Sequence, residues 1–318
     1  MRLHRFFINP NSAFQSAKSR FGGARQEGFS ASNRAVSQNS GQNGADSDQS
    51  RATLGAVSHP PLYSRGEVIS IPSEALIHQI TNVFRLNKED VVILTDGNDF
   101  DYVARIVSIA STGITFQIDD VAFRPFSPRL EVSLYVGLPK GDIFEWIVEK
   151  ATELGVTRIV PVAAERSIKK DIRLERLEKI SIEASEQSGR TVAAVIEKVI
   201  DIKEACRECG KSEGEVAGFT QVIVLNPLAH ETLRDVVRTI QVDTVIAESE
   251  IKGRAPATPH DAGRATIPRV ALFVGPEGGW SPAELALFSD AGFIQVKLGQ
   301  TILRTETACC AGLSMLLA

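Results

Sequence analysis

The sequence has no long hydrophobic run and few cysteines. Apolar stretches such as Val91–Leu94 and Val270–Val274 have the length of a strand, whereas a membrane helix requires roughly 20 apolar residues. The four cysteines occur as Cys206-x-x-Cys209 and Cys309-Cys310, without the second ligand pair of a zinc site. We therefore expect no membrane span, no metal, incidental free thiols and a reducing, cytoplasmic location.

The chain also lacks an overall excess of positive charge. Its net charge of −4 does not by itself indicate a nucleic-acid binder, but residues 1–65 hold eight Lys/Arg against three Asp/Glu. A basic N-terminal region on an acidic body permits RNA contact there. The first 25 residues are basic and rich in serine, as in a transit peptide. Because Leu3–Ile8 has the pattern of a strand, we favour a mature N-terminus.

Residues 11–65 have little aliphatic periodicity. Ser, Gln, Asn, Gly and Ala dominate this segment, so it cannot bury enough apolar surface to offset the entropy of ordering it. We interpret it as a long flexible insertion, whose arginines either contact RNA or belong to a solvated linker. A second polar stretch at Glu250–Pro268 has the composition of a surface loop.

Strand and helix patterns divide the rest of the chain into two domains, 1–127 and 128–318. The first contains short strand patterns and an amphipathic helix at Ser73–Arg85, which indicates a small β-rich domain, plausibly a barrel. Beyond Pro125–Pro128, strands and helices alternate. This alternation predicts an α/β domain with a parallel sheet covered by helices on both faces.

Two glycine-bearing turns in the second domain are the most informative motifs. Phe273-Val-Gly-Pro-Glu-Gly-Gly-Trp280 follows an apolar strand and precedes a helix whose Ser281-Pro-Ala-Glu284 start predicts a capping box. Leu298-Gly-Gln-Thr-Ile-Leu-Arg-Thr-Glu-Thr307 follows the next strand. Two such turns are suited to a ligand held by backbone amides and carbonyls.

The first turn does not have the pattern of a phosphate-binding loop. No Gly-Lys-Ser/Thr follows it, and it lacks the GxGxxG dinucleotide spacing. Glu277 within the turn favours a cationic or neutral ligand over an anionic one. Arg304 and Glu306 add a cation and an acid beside the second turn, although a helix-end charge alone would explain each of them.

Two other segments carry polar groups at helix or strand ends. Lys140 lies beside Gly141 at a strand end, where α/β proteins place functional groups. Ile182–Arg190 brings Glu186, Gln187 and Arg190 together at a helix C-terminus, where they could contact a planar base. Capping by Gly189, with Arg190 facing the helix dipole, explains the same residues equally well.

With these motifs in this order, the sequence resembles the RsmE family, the 16S ribosomal RNA uracil-N3 methyltransferases of the SPOUT class. The resemblance covers nearly the whole chain. It runs from Met1–Phe7 through the His78–Arg85 helix, Lys140–Gly155 and Glu183–Arg190 to Phe273–Gly279 and Leu298–Thr307. The departures are the 11–65 insertion and the 250–268 loop, and neither removes a motif residue.

The resemblance implies a fold, a cofactor and partners. It implies an N-terminal PUA-like β-barrel that binds RNA and a SPOUT-type α/β domain with a C-terminal trefoil knot. It also implies S-adenosylmethionine bound among the knot loops, 16S rRNA or the 30S subunit as substrate, and a homodimer with a shared active site. The cofactor-binding residues that it implies are Leu225, Gly275, Pro276, Glu277, Gly278, Gly279, Leu298, Gly299, Ile302 and Leu303.

Uracil N3 carries a proton and is a poor nucleophile until that proton leaves. Catalysis requires a base, or donors to O2 and O4 that stabilise the developing anion. The catalytic candidates are Arg304, Glu306, Glu186 and Arg190, with Arg304 first, and the general base is left unassigned. The RNA-binding candidates are Arg2, His4, Arg5, Arg85, Lys140 and Gln187.

Two alternatives to this function stay open at the level of sequence. The same SPOUT machinery could act on another RNA, for instance a tRNA base or ribose. A non-catalytic RNA-binding or ribosome-assembly protein could also retain the fold.

Overall fold

The structure is a computed structural model of the 318-residue chain. It describes residues 3–8, 61–97, 99–124, 128–167, 171–210, 219–240 and 267–317. Most of the predicted 11–65 insertion and of the predicted 250–268 loop lies outside these residues.

The first domain is a five-stranded sheet in the order β1-β3-β4-β5-β2. β1 pairs parallel to β3, and the other neighbours are antiparallel. Alternate side chains such as Val92 and Leu94, or Ala104 and Ile106, are fully buried in its core, as expected for a sheet with one face on the core. The strands are β1 (Arg5–Phe7), β2 (Val68–Ile71), β3 (Val91–Thr95), β4 (Phe100–Ala110) and β5 (Gly113–Phe123).

The helix predicted at Ser73–Arg85 is shorter than expected, and it changes from α-helical to π-helical hydrogen bonding partway along. α1 (Glu74–His78) begins at Ser73, whose hydroxyl accepts the Leu76 N–H, and a π-helical turn follows at Gln79–Val83. Within this turn the Phe84 N–H donates to the Gln79 carbonyl at 3.0 Å. Amphipathic spacing alone predicts one continuous helix, because it does not reveal the wider turn.

The second domain is built on a parallel sheet in the order β12-β10-β11-β6-β7-β8, with β9 paired to β7. Every strand pairing in it is parallel, which confirms the predicted α/β sheet. The strands are β6 (Glu131–Gly137), β7 (Arg158–Ala163), β8 (Val195–Ile196), β9 (Ile200–Asp201), β10 (Gln221–Leu225), β11 (Arg269–Val274) and β12 (Ile294–Val296).

Helices cover both faces of this sheet. Along β11, Val270 and Leu272 contribute to the core on one face, while Ala271 and Phe273 contribute to the core on the other, as the two-residue period of a strand requires. α2, α3, α5 and α7 pack on the first core, and α4 and α6 on the second. The helices are α2 (Ile143–Leu154), α3 (Leu174–Ser188), α4 (Ile202–Cys209), α5 (233–240), α6 (Pro282–Asp290) and α7 (Thr305–Leu317).

Two helices of this domain end where glycine supplies a left-handed conformation. Gly155 ends α2 with φ +105°, and Gly189 ends α3 with φ +83°, a conformation that favours glycine. α4, β8 and β9 were not among the predicted elements. β8 and β9 have two residues each, too few to form a periodic pattern.

Candidate active site

The first glycine-bearing turn leaves the carboxyl end of β11. It is followed by the predicted capping box, in which the Ser281 hydroxyl accepts the Glu284 N–H and the Glu284 carboxylate accepts the Ser281 N–H. Gly279 has φ +65°. Gly137, at the end of neighbouring β6, lies against this turn so closely that a Cβ there would be 2.4 Å from Pro276 Cδ. The turn therefore depends on glycine both within it and beneath it.

The second turn connects β12 to α7 and is hydrogen-bonded to the first. Thr305 begins α7 and is buried. Its Oγ1 donates to the Gly275 carbonyl at 3.0 Å. The two motifs recognised in the sequence therefore meet in space.

The end of β10 supplies a third segment. Asn226 follows Leu225 there, and its Nδ2 donates to Gln295 Oε1 on β12 at 2.9 Å. Its Oδ1 accepts the Leu228 N–H at 3.0 Å, which shapes the turn after β10. Asn226 was not among the predicted site residues, although Asn-Pro after a strand is a recognised turn signal.

These three segments enclose a cavity of about 580 Å³, within the usual range for small-molecule sites. All ten residues predicted to bind the cofactor line it: Leu225, Gly275, Pro276, Glu277, Gly278, Gly279, Leu298, Gly299, Ile302 and Leu303. The structure thus brings this whole set together. Two lining side chains, Leu228 and Ile302, are apolar and more than four-fifths exposed.

A fourth segment, the loop after β7, contacts the first turn and was not predicted. Arg166 Nη1 donates to the Gly278 carbonyl at 2.7 Å and to the Trp280 carbonyl at 3.4 Å. The preceding Glu165 N–H donates to the Glu284 carboxylate at 2.7 Å. Arg166 also lines the cavity, so this loop both supports the turn and forms part of the cavity wall. No sequence signal marks Arg166, because the contact joins residues more than 100 positions apart.

Arg304 and Glu306 lie at the rim beside the second turn. Arg304 lines the cavity, and its side chain is 86% exposed. Glu306 is mostly buried, and its closest approach to the Arg304 guanidinium is 4.0 Å. Its Oε2 has no hydrogen-bond partner among the described residues. An exposed cation and a buried carboxylate oxygen thus lie beside the glycine turns.

Glu306 does not itself line this cavity, and neither do the other two catalytic candidates. Arg190 is buried and donates to three backbone carbonyls, those of Thr152, Val156 and Val192. It therefore stabilises the end of α2 and is not placed to contact a base, which corrects its predicted catalytic role. Glu186 faces the first domain, where it accepts hydrogen bonds from Phe7 and Gln79. Burial raises the pKa of its carboxyl to about 7.

The predicted RNA-binding residues are placed differently from one another. His4 and Arg85 are exposed on the first domain, where the His4 ring lies 4.2 Å from the ring of Phe84. Arg5 is not exposed in this way, because its guanidinium forms a buried ion pair with Asp101. This corrects its predicted RNA contact.

The remaining RNA-binding candidates belong to the second domain or lie beyond the described residues. Lys140 is exposed, and its backbone N–H donates to Glu277 Oε1 at 2.9 Å, so it lies beside the first turn. Gln187 is exposed at the end of α3. Arg2 falls outside the described residues.

The four cysteines are free. Burial raises the pKa of Cys206 to about 11 and that of Cys209 to about 12, so both are protonated and unreactive at neutral pH. Across the described ranges there is no group of three or more potential metal ligands. None of the helices in that part of the chain is both long and apolar enough to cross a membrane.

Two family models match the chain. One described as an RNA methyltransferase domain matches residues 126–317, and one described as an RNA methyltransferase PUA domain matches residues 74–119. The first match includes every residue that lines the cavity.

Individual proteins are similar over most of the chain. The ribosomal RNA small subunit methyltransferase E of Synechocystis sp. is 30% identical over 76% of this chain and 70% of that protein. The Bacillus subtilis protein of the same name is 28% identical over 75% of this chain and 85% of that protein. A crystal structure of ribosomal RNA small subunit methyltransferase E from Neisseria gonorrhoeae, bound to S-adenosyl methionine, superposes with a TM-score of 0.62. It is 28% identical and covers 80% of this chain and 93% of that one.

Proposed function

The chain belongs to the RNA methyltransferase family, and we propose that it transfers the methyl group of S-adenosylmethionine to N3 of one uridine in 16S ribosomal RNA. The observation that carries this proposal is the cavity between the two glycine-bearing turns. Its lining contains the full set of residues that the family resemblance assigns to the cofactor. The Neisseria relative with this fold is bound to S-adenosyl methionine.

The cavity suits this cofactor in size and chemistry. Its lining combines apolar side chains, among them Leu225, Leu298 and Leu303, with the backbone of two turns. Such a lining can enclose an adenine ring and offer amides and carbonyls to its edge and to the methionine part. The cofactor supplies an electrophilic methyl group on a sulfonium. Glu277, which lines the cavity, is the acid that we assign to the neighbourhood of that positive charge.

The chain's own residues would then prepare the uracil. We assign Arg304 to the oxygens of the base, because it lines the cavity and its guanidinium is exposed at the rim, where a ligand could contact it. A cation there would stabilise the negative charge that develops on O2 or O4 when N3 loses its proton. Glu306, two positions further and in the first turn of α7, would orient Arg304 through the charge pair seen at 4.0 Å.

The first domain would hold the RNA. We assign three exposed residues to contact with the rRNA strand. Arg85 and Lys140, the latter beside the first turn, supply cations, and the His4 ring supplies an aromatic surface. We extend the proposal to a cytoplasmic homodimer with a C-terminal trefoil knot and a shared active site. Support for a covering partner comes from Leu228 and Ile302, whose exposed apolar side chains flank the cavity.

Methyl transfer to 30S particles tests the proposal. Particles from a strain lacking the endogenous N3-methyluridine would be incubated with the full-length protein and labelled S-adenosylmethionine. Nuclease digestion and mass spectrometry would then locate the label. N3-methyluridine at one position of 16S rRNA supports the proposal, whereas a label on another base, on a ribose, or on tRNA only would contradict it.

A further inference from the structure

Glu186 connects the two domains through both oxygens of one carboxylate. Its Oε1 accepts the Phe7 backbone N–H at 2.9 Å, and its Oε2 accepts Nε2 of Gln79 at 3.0 Å. Phe7 belongs to β1, and Gln79 belongs to the π-helical turn after α1. A single side chain at the end of α3 thus binds two separate elements of the first domain.

The Phe7 N–H is satisfied by this acceptor and not by a neighbouring strand among those described. Among the described strands, β1 lies at the edge of its sheet. It pairs with β3 on one side, through the His4 carbonyl and the Ile8 N–H. In a parallel pair successive residues direct their N–H groups to opposite sides, so the N–H of Phe7, just before Ile8, points away from β3. Phe7 therefore presents its donor at an open edge, and Phe7 itself is buried. An unsatisfied N–H in such a place is costly, and the Glu186 carboxylate satisfies it.

The segment that follows α3 adds a further contact between the domains. Thr191 Oγ1 donates to the backbone carbonyl of Arg124, just after β5, at 3.0 Å. Glu186 and Thr191 are only five positions apart. Glu186 binds Phe7 near the start of the first domain, and Thr191 binds Arg124 near its end. Contacts at three elements restrict rotation of one domain on the other, which a single contact would not do.

We propose that Glu186 is a positioning residue that holds the RNA-binding domain at a fixed orientation to the methyl-transfer site. This inference rests on the proposed function, because the orientation matters only if the first domain delivers RNA to that site. Glu186 acts through the first domain, since each of its oxygens accepts a hydrogen bond from that domain and it does not line the cavity between the glycine turns. A misplacement of about 1 Å in a bound substrate is enough to reduce a rate about a hundredfold.

Substitution of Glu186 by glutamine and by alanine separates positioning from proton transfer. Glu186→Gln keeps an acceptor for the Phe7 N–H, and rotation of the Gln79 amide restores the second hydrogen bond. We expect this variant to methylate 30S particles within about threefold of wild type, less than the roughly fivefold or greater loss expected when a buried donor is left without an acceptor. Glu186→Ala should raise KM for the particles about tenfold or more and leave the Kd for S-adenosylmethionine unchanged. Glu175→Ala, an exposed acid on the same helix, is the matched control and should do neither.

A double-mutant cycle with Gln79→Ala tests whether Glu186 acts through the first domain. If it does, the losses in kcat/KM overlap, and the double variant is no worse than Glu186→Ala alone. Losses that multiply would overturn the proposal, as would a Glu186→Gln variant as inactive as Glu186→Ala, which would make Glu186 a proton acceptor.

Hydrogen exchange supplies a readout that does not depend on activity. The Phe7 amide should exchange faster in Glu186→Ala than in wild type or Glu175→Ala, and unchanged exchange would overturn the contact. Wild-type protein that transfers no methyl group would contradict the proposed function, while the exchange measurement would still decide the role of Glu186.

Discussion

Thr305 Oγ1 donates a hydrogen bond of 3.0 Å to the Gly275 carbonyl. The two residues belong to different turns and are separated by 30 positions in the sequence. This bond joins the start of α7 to the end of β11, on the two sides of the proposed cofactor cavity. The shape of that cavity therefore depends on a contact that can be removed by changing one atom.

Thr305→Val removes the hydroxyl and keeps the branched shape. The Gly275 carbonyl then loses its partner, at a cost of about 1–3 kcal/mol for a buried group. We expect the Kd for S-adenosylmethionine to rise about tenfold, measured by isothermal titration calorimetry. Thr307→Val, at an exposed position on the same helix, is the control. Equal affinities for the two variants would contradict the role given to this bond.

Gly137→Ala should disrupt the first turn from beneath. A Cβ there would lie 2.4 Å from Pro276 Cδ and 2.8 Å from Pro276 N, so the turn or β6 must move. We expect a loss of cofactor binding together with a destabilisation of about 1–3 kcal/mol in urea unfolding, as for other overpacked sites. Gly299→Ala, where a Cβ meets nothing within 4 Å, should leave the unfolding midpoint unchanged. A Gly137→Ala variant with wild-type stability would refute this packing.

Arg304→Ala should separate chemistry from cofactor binding. Arg304 is largely exposed, and its one described ion pair is long, so its loss should change stability by less than about 0.5 kcal/mol. Removing a group that stabilises developing charge lowers kcat about 10²–10³-fold. Single-turnover methylation of 30S particles at saturating cofactor measures this effect, with calorimetry for the cofactor. An unchanged rate would remove Arg304 from the mechanism.

Glu186 should make the stability of the protein depend on pH. Desolvation by burial is the largest cause that raises its pKa from 4.5 to about 7, and nearby Glu183 adds to it. The hydrogen bonds from Phe7 and Gln79 and the charge of Arg5 act in the opposite direction. Because the folded protein holds this proton more tightly than the unfolded chain, its stability from this group is highest below pH 4.5 and decreases as pH rises to 7.

The comparison with Glu186→Gln isolates this titration, because glutamine does not ionise. Between pH 5 and 8, wild type should lose about 2–3 kcal/mol of unfolding free energy relative to the variant. Urea unfolding at several pH values measures the difference. A difference that stays constant over this range would show that the Glu186 carboxyl has an ordinary pKa.

A ligand site between the two turns was predictable because backbone turns with local sequence signals form it, while its assignment to S-adenosylmethionine came from the family resemblance. Glycines at Gly275 and Gly279, the capping box at Ser281 and a strand before each turn are all visible over short stretches. The α/β fold of the second domain was predictable for a similar reason, since strands and helices have distinct hydrophobic periodicities. Arg166 was missed because its carbonyl partners lie more than 100 positions away.

The polar cluster at the end of α3 could not be resolved from the sequence. Glu186 lies in the last turn of α3 and Arg190 just after its end. They are four positions apart and carry opposite charges, so the sequence is compatible with one ligand for both. In the structure Arg190 donates hydrogen bonds to the carbonyls at the end of α2, whereas Glu186 accepts one from the edge strand of the other domain. Both partners are distant in sequence, and only the packing of the chain determines them.

The location of the transferred methyl group tests the central claim most directly. The measurement is mass-spectrometric mapping of 16S rRNA from unmethylated 30S particles treated with the full-length protein and labelled S-adenosylmethionine, alongside Thr305→Val. We predict N3-methyluridine at a single position with wild type, and a slower appearance of the same product with the variant at limiting cofactor. Absence of transfer by wild type, or a methyl group on any other atom, would contradict the account.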